Sequence, residues 1–302
     1  MAQKEIPAVS GALTTSIRQA LTDFGLLVKF RLTLLVLFSA VMSYFIVAGA
    51  SFDWTDVILL ASGGFLVTGA ANTLNQILER DYDRMMMRTA NRPIAAGRMG
   101  VSKALLIAGV LALSGVIVLS VLNPLTGYLG TLSLISYAFI YTPAKRYTPL
   151  SVWIGAIPGA LPNVIGCVAF EQHISLYAVM LFMIQFLWQF PHFWAVAWLA
   201  DEDYKKAGFY LLPSASGEKD STVGSISAVF CISLVALVAG AWWTGLIGVY
   251  AAVILMTLNT YWAYACWQLH LHCDRPSARK QMFISFFHLP LTLIVLLADK
   301  LF

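Results

Sequence analysis

Charge is scarce in this sequence. Asp, Glu, Lys and Arg make up only 11% of its 302 residues, against about 25% in an ordinary soluble domain. Too few polar side chains remain to solvate a soluble surface. With 59% hydrophobic residues and a mean hydropathy of +0.77, the surplus apolar surface has to face lipid. Cysteine is scarce too: Cys167, Cys231, Cys266 and Cys273 show no paired ligand spacing, and three of them fall inside apolar runs. That argues against a disulfide framework or a cysteine metal centre and reads them as small buried hydrophobes. The net charge of +4 is too mild to suggest nucleic acid. Internal repeats and low-complexity segments are lacking, so one domain over residues 1–302 is the simplest organisation. No charged-then-apolar leader with a cleavage site precedes the first long apolar run, which is expected to be a retained span.

What is present in abundance is apolar runs near 20 residues, the length a membrane helix needs. Nine are found, near 26–49, 55–77, 103–122, 124–142, 150–170, 175–199, 223–243, 246–269 and 282–301. The fold class expected is an all-α integral membrane protein of nine transmembrane helices. Basic residues set the orientation. With the N-terminal segment 1–23 in the cytoplasm, every Lys and Arg from Lys4 to Lys280 falls on that side, and Lys300 alone of the 19 falls outside. Only two connections are long, 78–102 and 200–222, and both land on the cytoplasmic face. Long connections in compact domains are usually functional or disordered, and these two carry much of the chain's charge.

Where the first of them begins, Asn75, at the end of the second span, is followed by Glu79 and Asp83. Residues four apart drift only about 40° per step on a helix, so the three line one face over roughly 12 Å. Oxygen side chains in that arrangement suit Mg²⁺, which favours carboxylates, waters and substrate phosphates. Carboxylates at the apolar edge of a span are expensive and usually functional. Arg88 and Arg92 follow at once and could hold phosphate oxygens. Asp81 points elsewhere, and salt-bridged interface charges are the plainer reading of such a loop. The second loop opens on Asp201, Glu202 and Asp203. Asp201 and Asp203, two apart, cannot share a helix face, and Asp203 is the favoured second metal ligand. Lys145 and Arg146, in a third cytoplasmic loop, could neutralise a leaving diphosphate or simply set topology.

These residues resemble the intramembrane (UbiA-type) prenyltransferase superfamily, and within it the branch that farnesylates haem. Four stretches carry the likeness: Lys29-Phe30-Arg31; Asn75 through Arg88-Thr89 to Arg92-Pro93; Tyr141 through Lys145-Arg146 to Pro149, with the Pro/Gly-rich Gly155–Pro162; and Pro191-His192-Phe193-Trp194 with Glu202-Asp203-Tyr204 and Leu212-Pro213. The superfamily's first motif usually has aspartates where this chain has Gln76 and Glu79. Glu79 keeps a carboxylate and Gln76 does not.

The resemblance implies a bundle around a central cavity opening to the cytoplasm. It implies transfer of the farnesyl group of farnesyl diphosphate to a vinyl group of haem B, with water, giving haem O and diphosphate. It implies Mg²⁺ on Asn75, Glu79, Asp83 and Asp203, and diphosphate on Lys29, Arg31, Arg88, Arg92, Lys145 and Arg146. Haem or prenyl contacts fall to His192, Phe193, Trp194, Tyr204 and His288. The rings of Phe190, Phe193, Trp194 and Trp198 are candidates to stabilise an allylic cation, unless they are interfacial aromatics. Partners would be farnesyl diphosphate, haem B, membrane lipid and a haem A synthase receiving the product, in a bacterial plasma membrane. Two other readings compete: a prenyltransferase acting on an aromatic or quinone precursor, and a secondary transporter. The one-sided acids and lack of repeats speak against the transporter.

Overall fold

The computed structural model describes residues 9–214 and 217–302, with side chains from residue 17 onward. Lys4 and the rest of 1–8 in the expected N-terminal segment lie outside the described residues, as do 215 and 216 in the second loop. Every regular element among the described residues is helical. Among the described residues, eight helices are long and apolar enough to cross a membrane: α2 (Phe30–Ala48, extended by one 3₁₀ turn to Ser51), α3 (Trp54–Leu78), α5 (Val101–Leu122), α8 (Ser151–Glu171), α9 (Leu176–Leu199), α11 (Ser221–Trp243), α12 (Val249–His272) and α13 (Arg275–Leu301). The short α4 (Arg80–Asp83) and α10 (Asp201–Lys206) follow α3 and α9 at the same end of the bundle.

The run expected at 124–142 is not one regular helix. It is α6 (Pro124–Ile135), a π-helical stretch (Ser136–Tyr141) and the short α7 (Thr142–Ala144), joined without a gap. Asn123 caps it, its side chain accepting from Thr126 N–H at 2.9 Å, with Pro124 in the first turn. A π segment inserts an extra residue per turn and re-aims the side chains beyond it. Here it turns both Tyr137 and Tyr141 toward the interior cavity.

One helix has no counterpart among the nine apolar runs. α1 (Val9–Leu27) carries Ile17, Leu21 and Phe24 exposed, while Asp23 and Leu27 are buried. Its pattern is amphipathic, too polar to span, and so invisible to a search for 20-residue apolar stretches.

Helices consecutive in sequence pack side by side, and α13 closes the ring against α2. α8 is the most enclosed and also meets α2. Small residues allow this, because without a hydrophobic drive between helices in lipid, association depends on close backbone packing. A Cβ on Gly166 would collide with the Ala40 carbonyl of α2, and one on Gly159 with the Gln189 amide of α9. Gly155 leaves room for the Tyr141 ring, which could not lie there against a larger residue.

Candidate active site

The site begins at the junction of α1 and α2. α1 ends at Leu27 with carbonyls that need partners. Gln76 of α3 supplies them, its amide donating to Leu26 O at 2.9 Å and Leu27 O at 2.8 Å. One turn earlier Asn72 donates to Val28 O and Thr33 Oγ1, both at 3.2 Å. Held this way, Lys29 takes a left-handed conformation (φ 49°, ψ 55°), uncommon for a residue with a side chain. Strain of this kind persists only where surrounding contacts enforce it, and it clusters at functional sites. It aims Lys29 Nζ at Asn75 Oδ1, 2.8 Å away. The aspartate position that Gln76 occupies is therefore a helix-end clamp in this chain, and Gln76 does not line the cavity.

Asn75, Glu79 and Asp83 stay on one side although the helix is interrupted. α3 ends at Leu78, and Glu79 caps it at φ −99°, ψ 8° before α4 begins. Backbone bonds from Glu79 to Asn75 O (2.9 Å) and from Asp83 to Glu79 O (2.8 Å) keep the four-residue phase across the break. All three line one cavity of about 250 Å³. Each is already matched with a cation: Asn75 with Lys29, Glu79 with Lys145, and Asp83 with Arg92 at 2.7 Å. The second half of the Asn75 amide donates to Thr142 Oγ1 at 3.1 Å, and Thr142 in turn donates to Tyr137 O at 2.9 Å. The first acidic helix is thus tied directly to the π segment.

Burial and charge pull these groups in different directions. Burial alone would raise the Glu79 carboxyl, but the positive charges of Lys145, Lys29 and Arg92 outweigh it and hold it below the usual glutamate range. For Asp83 burial wins, helped by the Glu79 carboxylate, and its carboxyl lies above the usual range despite Arg92. Lys29 is pushed well below the ordinary lysine value by burial first and then by Arg92. A site with three clustered cations and two carboxylates is poised to take up both a divalent cation and a polyanion. Among the described residues no three His, Cys, Asp or Glu side chains come together. The candidate ligand set is two carboxylates and an amide, which fits a hard ion that keeps waters and substrate oxygens better than a fully protein-ligated one.

Of the remaining residues singled out from sequence, Arg88, His192, Phe193 and Tyr204 also line this cavity. The Arg88 guanidinium lies 4.4 Å from the centre of the Tyr204 ring. Others sit elsewhere. Asp203 is partly exposed, 3.7 Å from Lys206 Nζ, and outside the lining. Its neighbour Asp201 is buried and paired with Lys205 at 3.1 Å. Arg31 is exposed at the start of α2. Arg146 donates to Leu78 O and covers the Tyr82 ring at 4.1 Å, backing the site from outside. Trp194 packs with Phe190, Trp198 and Leu212 in a separate core between α8, α9 and α11. His288 is buried against α12, with Nε2 2.8 Å from Asn259 Oδ1 and its ring beside Trp262.

Several lining residues escaped the sequence reading: Tyr137, Met86, Thr89, Phe209 and Leu211. Tyr137 carried a weak signal, lying four residues before Tyr141 on a polar-ended span. The others sit in the two loops, which meet over the cavity: Tyr82 stacks on Phe209 at 5.5 Å, and Met86, Ala207 and Phe209 form a small buried cluster.

Comparison with known proteins gives the family and the fold. A model described as the UbiA prenyltransferase family matches residues 36–288. A protoheme IX farnesyltransferase of Christiangramia forsetii is 42% identical over 282 residues, covering 93% of this chain and 94% of that one. The mitochondrial protoheme IX farnesyltransferase of Homo sapiens is 34% identical, over 90% of this chain and 61% of the human protein. Two solved structures share the fold at low identity. A digeranylgeranylglyceryl phosphate synthase superposes with TM-score 0.78 at 16% identity, covering 94% of this chain and 99% of that one. A UbiA homologue from Archaeoglobus fulgidus bound to GPP and Mg²⁺ superposes with TM-score 0.65 at 14% identity, over 91% and 99%.

Proposed function

This chain belongs to the UbiA prenyltransferase family, an integral membrane protein, and we propose that it farnesylates haem B at a vinyl group to form haem O. The proposal rests on one feature: three oxygen donors, each matched with a cation, line a cavity that His192 and aromatic rings also line. The relatives at 34–42% identity carry the name of that activity over nearly the whole chain.

Asn75, Glu79 and Asp83 are the residues that would hold Mg²⁺. When bound, Mg²⁺ draws charge from the departing diphosphate. With the ion held there, the acids would give up their present partners, and Lys29, Arg92 and Lys145, with Arg88, would be free to meet phosphate oxygens. Arg31 and Arg146 act farther out, as electrostatic support. Asp203 becomes a ligand only if α10 turns it away from Lys206.

The carbon–oxygen bond at C1 of the farnesyl group breaks, and its electron pair leaves with diphosphate. The allylic cation forms among the rings of Tyr137, Tyr141, Phe193, Tyr204 and Phe209, whose π-electrons favour positive charge. The terminal vinyl carbon of haem bonds to C1, leaving the cation beside the macrocycle, where water adds and loses a proton. His192 and Phe193 contact the haem, while Trp194 and His288 shape the walls behind them.

We place the mouth of this cavity, with loops 78–102 and 200–222 over it, in the cytoplasm of a bacterial cell. Nine crossings result if the broken run Pro124–Ala144 is counted as the fourth. The one-sided distribution of Lys and Arg supports this orientation. Haem O released at the membrane could pass to a haem A synthase. The test is to give purified protein farnesyl diphosphate with haem B or with 4-hydroxybenzoate, at varied Mg²⁺, and to analyse products by mass. Haem O formed only with haem B supports the proposal; prenylated 4-hydroxybenzoate overturns it.

A further inference from the structure

His192 sits inside α9 next to Pro191, and α13 grips α9 at this step with two side chains four residues apart. Gln281 donates to Pro191 O at 2.8 Å, and Ser285 Oγ lies 2.7 Å from His192 Nδ1. Residues four apart on a helix share a face, so this is a two-pronged contact. Gln281 is fixed from behind, since Trp262 Nε1 donates to its backbone carbonyl at 3.2 Å.

The direction of the His192 bond follows from the hydroxyl. Ser285 Oγ donates its proton to Met282 O at 2.5 Å. A hydroxyl has one proton, so toward His192 it can only accept. Nδ1 therefore carries the ring proton, and Nε2 is left with its lone pair. The ring cannot easily turn. Trp188 stacks on its face at 4.6 Å and 14°, and Phe193 and Phe286 meet it edge-on at 5.5 and 5.4 Å. His192 lines the cavity, so the nitrogen left over for a ligand there is Nε2.

We propose that Ser285 is a positioning residue, which fixes His192 in its Nδ1–H tautomer so that Nε2 coordinates the haem iron. This rests on the reading of haem as substrate. Metal-bound histidines usually donate their other N–H to an outer partner, which sets tautomer and ring orientation. A carboxylate partner would raise the basicity of the imidazole and tighten the bond. Here the partner is a neutral hydroxyl. That gives a weaker ligand, suited to a tetrapyrrole that must arrive as haem B and leave as haem O.

The experiment is a titration of purified protein with haem B, without farnesyl diphosphate, followed by the Soret band and by electron paramagnetic resonance of the ferric complex. Wild type should show imidazole ligation, and His192→Ala should lose it. Ser285→Ala removes only the hydroxyl and should weaken haem binding about 10–100-fold, with altered ligation spectra. Ser285→Thr, which restores a hydroxyl, should recover both. Ser285→Ala binding haem B with wild-type affinity and spectrum overturns the role of Ser285 while leaving His192 as ligand. A wild-type complex without imidazole ligation, or one that His192→Ala leaves unchanged, overturns both assignments. Haem O formation, assayed on the same preparations, reports separately on the substrate reading.

Discussion

Arg92 meets Asp83 through a single nitrogen: Nη1 lies 2.7 Å from both Oδ1 and Oδ2. The usual strong geometry is a fork, with two nitrogens on two oxygens. Here one nitrogen serves the whole carboxylate, and Nε and Nη2 make no other hydrogen bond among the described residues. Arg92 can therefore contact a phosphate oxygen while still touching Asp83, which is what a diphosphate bridging acid and base clusters requires.

The first prediction concerns pH. Asp83 lies above the ordinary aspartate range because burial outweighs Arg92, and as the proposed metal ligand it would have to be ionised. The acid limb of kcat/KM for the free enzyme should therefore fall above the ordinary aspartate value. Removing Arg92 removes the strongest influence holding that carboxyl down, so Arg92→Gln should move the limb to higher pH. Stability should respond with opposite signs at the two carboxylates. Glu79, held low, contributes stability above its unfolded value that is lost as pH falls through its lowered one. Asp83, held high, favours the fold while protonated, and that contribution is lost as pH rises through its folded value. A pH–rate series on wild type and Arg92→Gln checks the shift, and an unmoved limb would mean that another group titrates.

The second prediction separates the two acidic loops. Asp83 is buried in the cavity, whereas Asp203 lies outside its lining beside Lys206. Loss of one preorganised electrostatic group at a site of charge development costs about 10²–10³ in turnover, and Asp83→Ala should fall in that range. Asp203→Ala should cost roughly tenfold or less at saturating Mg²⁺ and should raise the Mg²⁺ concentration needed for half-maximal rate. Equal losses in both variants, independent of Mg²⁺, would mean that α10 swings fully into the site during turnover.

The spans were legible because lipid imposes a simple rule: long apolar runs must be helices. The phase of Asn75, Glu79 and Asp83 was legible for a related reason, since four-residue spacing survives the break at Glu79. What escaped was set by contacts distant in sequence. The π stretch at Ser136–Tyr141 has no local composition that distinguishes it from α-helix. Asp203 is the aspartate favoured from sequence, yet it lies outside the cavity lining beside Lys206, while Asp201 pairs with Lys205 and Lys219, and no local pattern announces those partners. His192 and His288 are both intramembrane histidines, yet only one turns to the cavity. α1 was missed because its face, not its length of apolar sequence, makes it a helix.

The third prediction tests helix packing. A Cβ at Gly166 meets the Ala40 carbonyl, a backbone atom that cannot rotate away. Overpacking usually costs about 1–3 kcal/mol, so Gly166→Ala should lower the thermal midpoint in detergent and reduce activity through a displaced α2. Gly109 and Gly240 lie in α5 and α11 with open space where a Cβ would go. Alanine there should be neutral or stabilising by up to about 1 kcal/mol. Equal effects at all three positions would remove the close α2–α8 approach as a cause.

The fourth prediction concerns water. Phe209, from the loop after α10, stacks on Tyr82 of α4 and packs with Met86, while Arg88 covers the Tyr204 ring. These contacts join the two loops over the cavity by ring faces rather than by hydrogen bonds. An allylic cation released beneath them has two fates, capture by the haem vinyl carbon or capture by water. Excluding water from a reactive intermediate is a function of a closed site. Phe209→Ala removes the stacking partner and leaves the acids, Lys29 and Arg92 in place; its one contact with the charged cluster is the ring face 5.8 Å from Lys145 Nζ. It should therefore leave cleavage of farnesyl diphosphate largely intact but raise the ratio of farnesol to haem O. Both products can be followed from one labelled substrate. If the variant lowered both products in proportion, the aromatic contact would serve binding or stability rather than water exclusion.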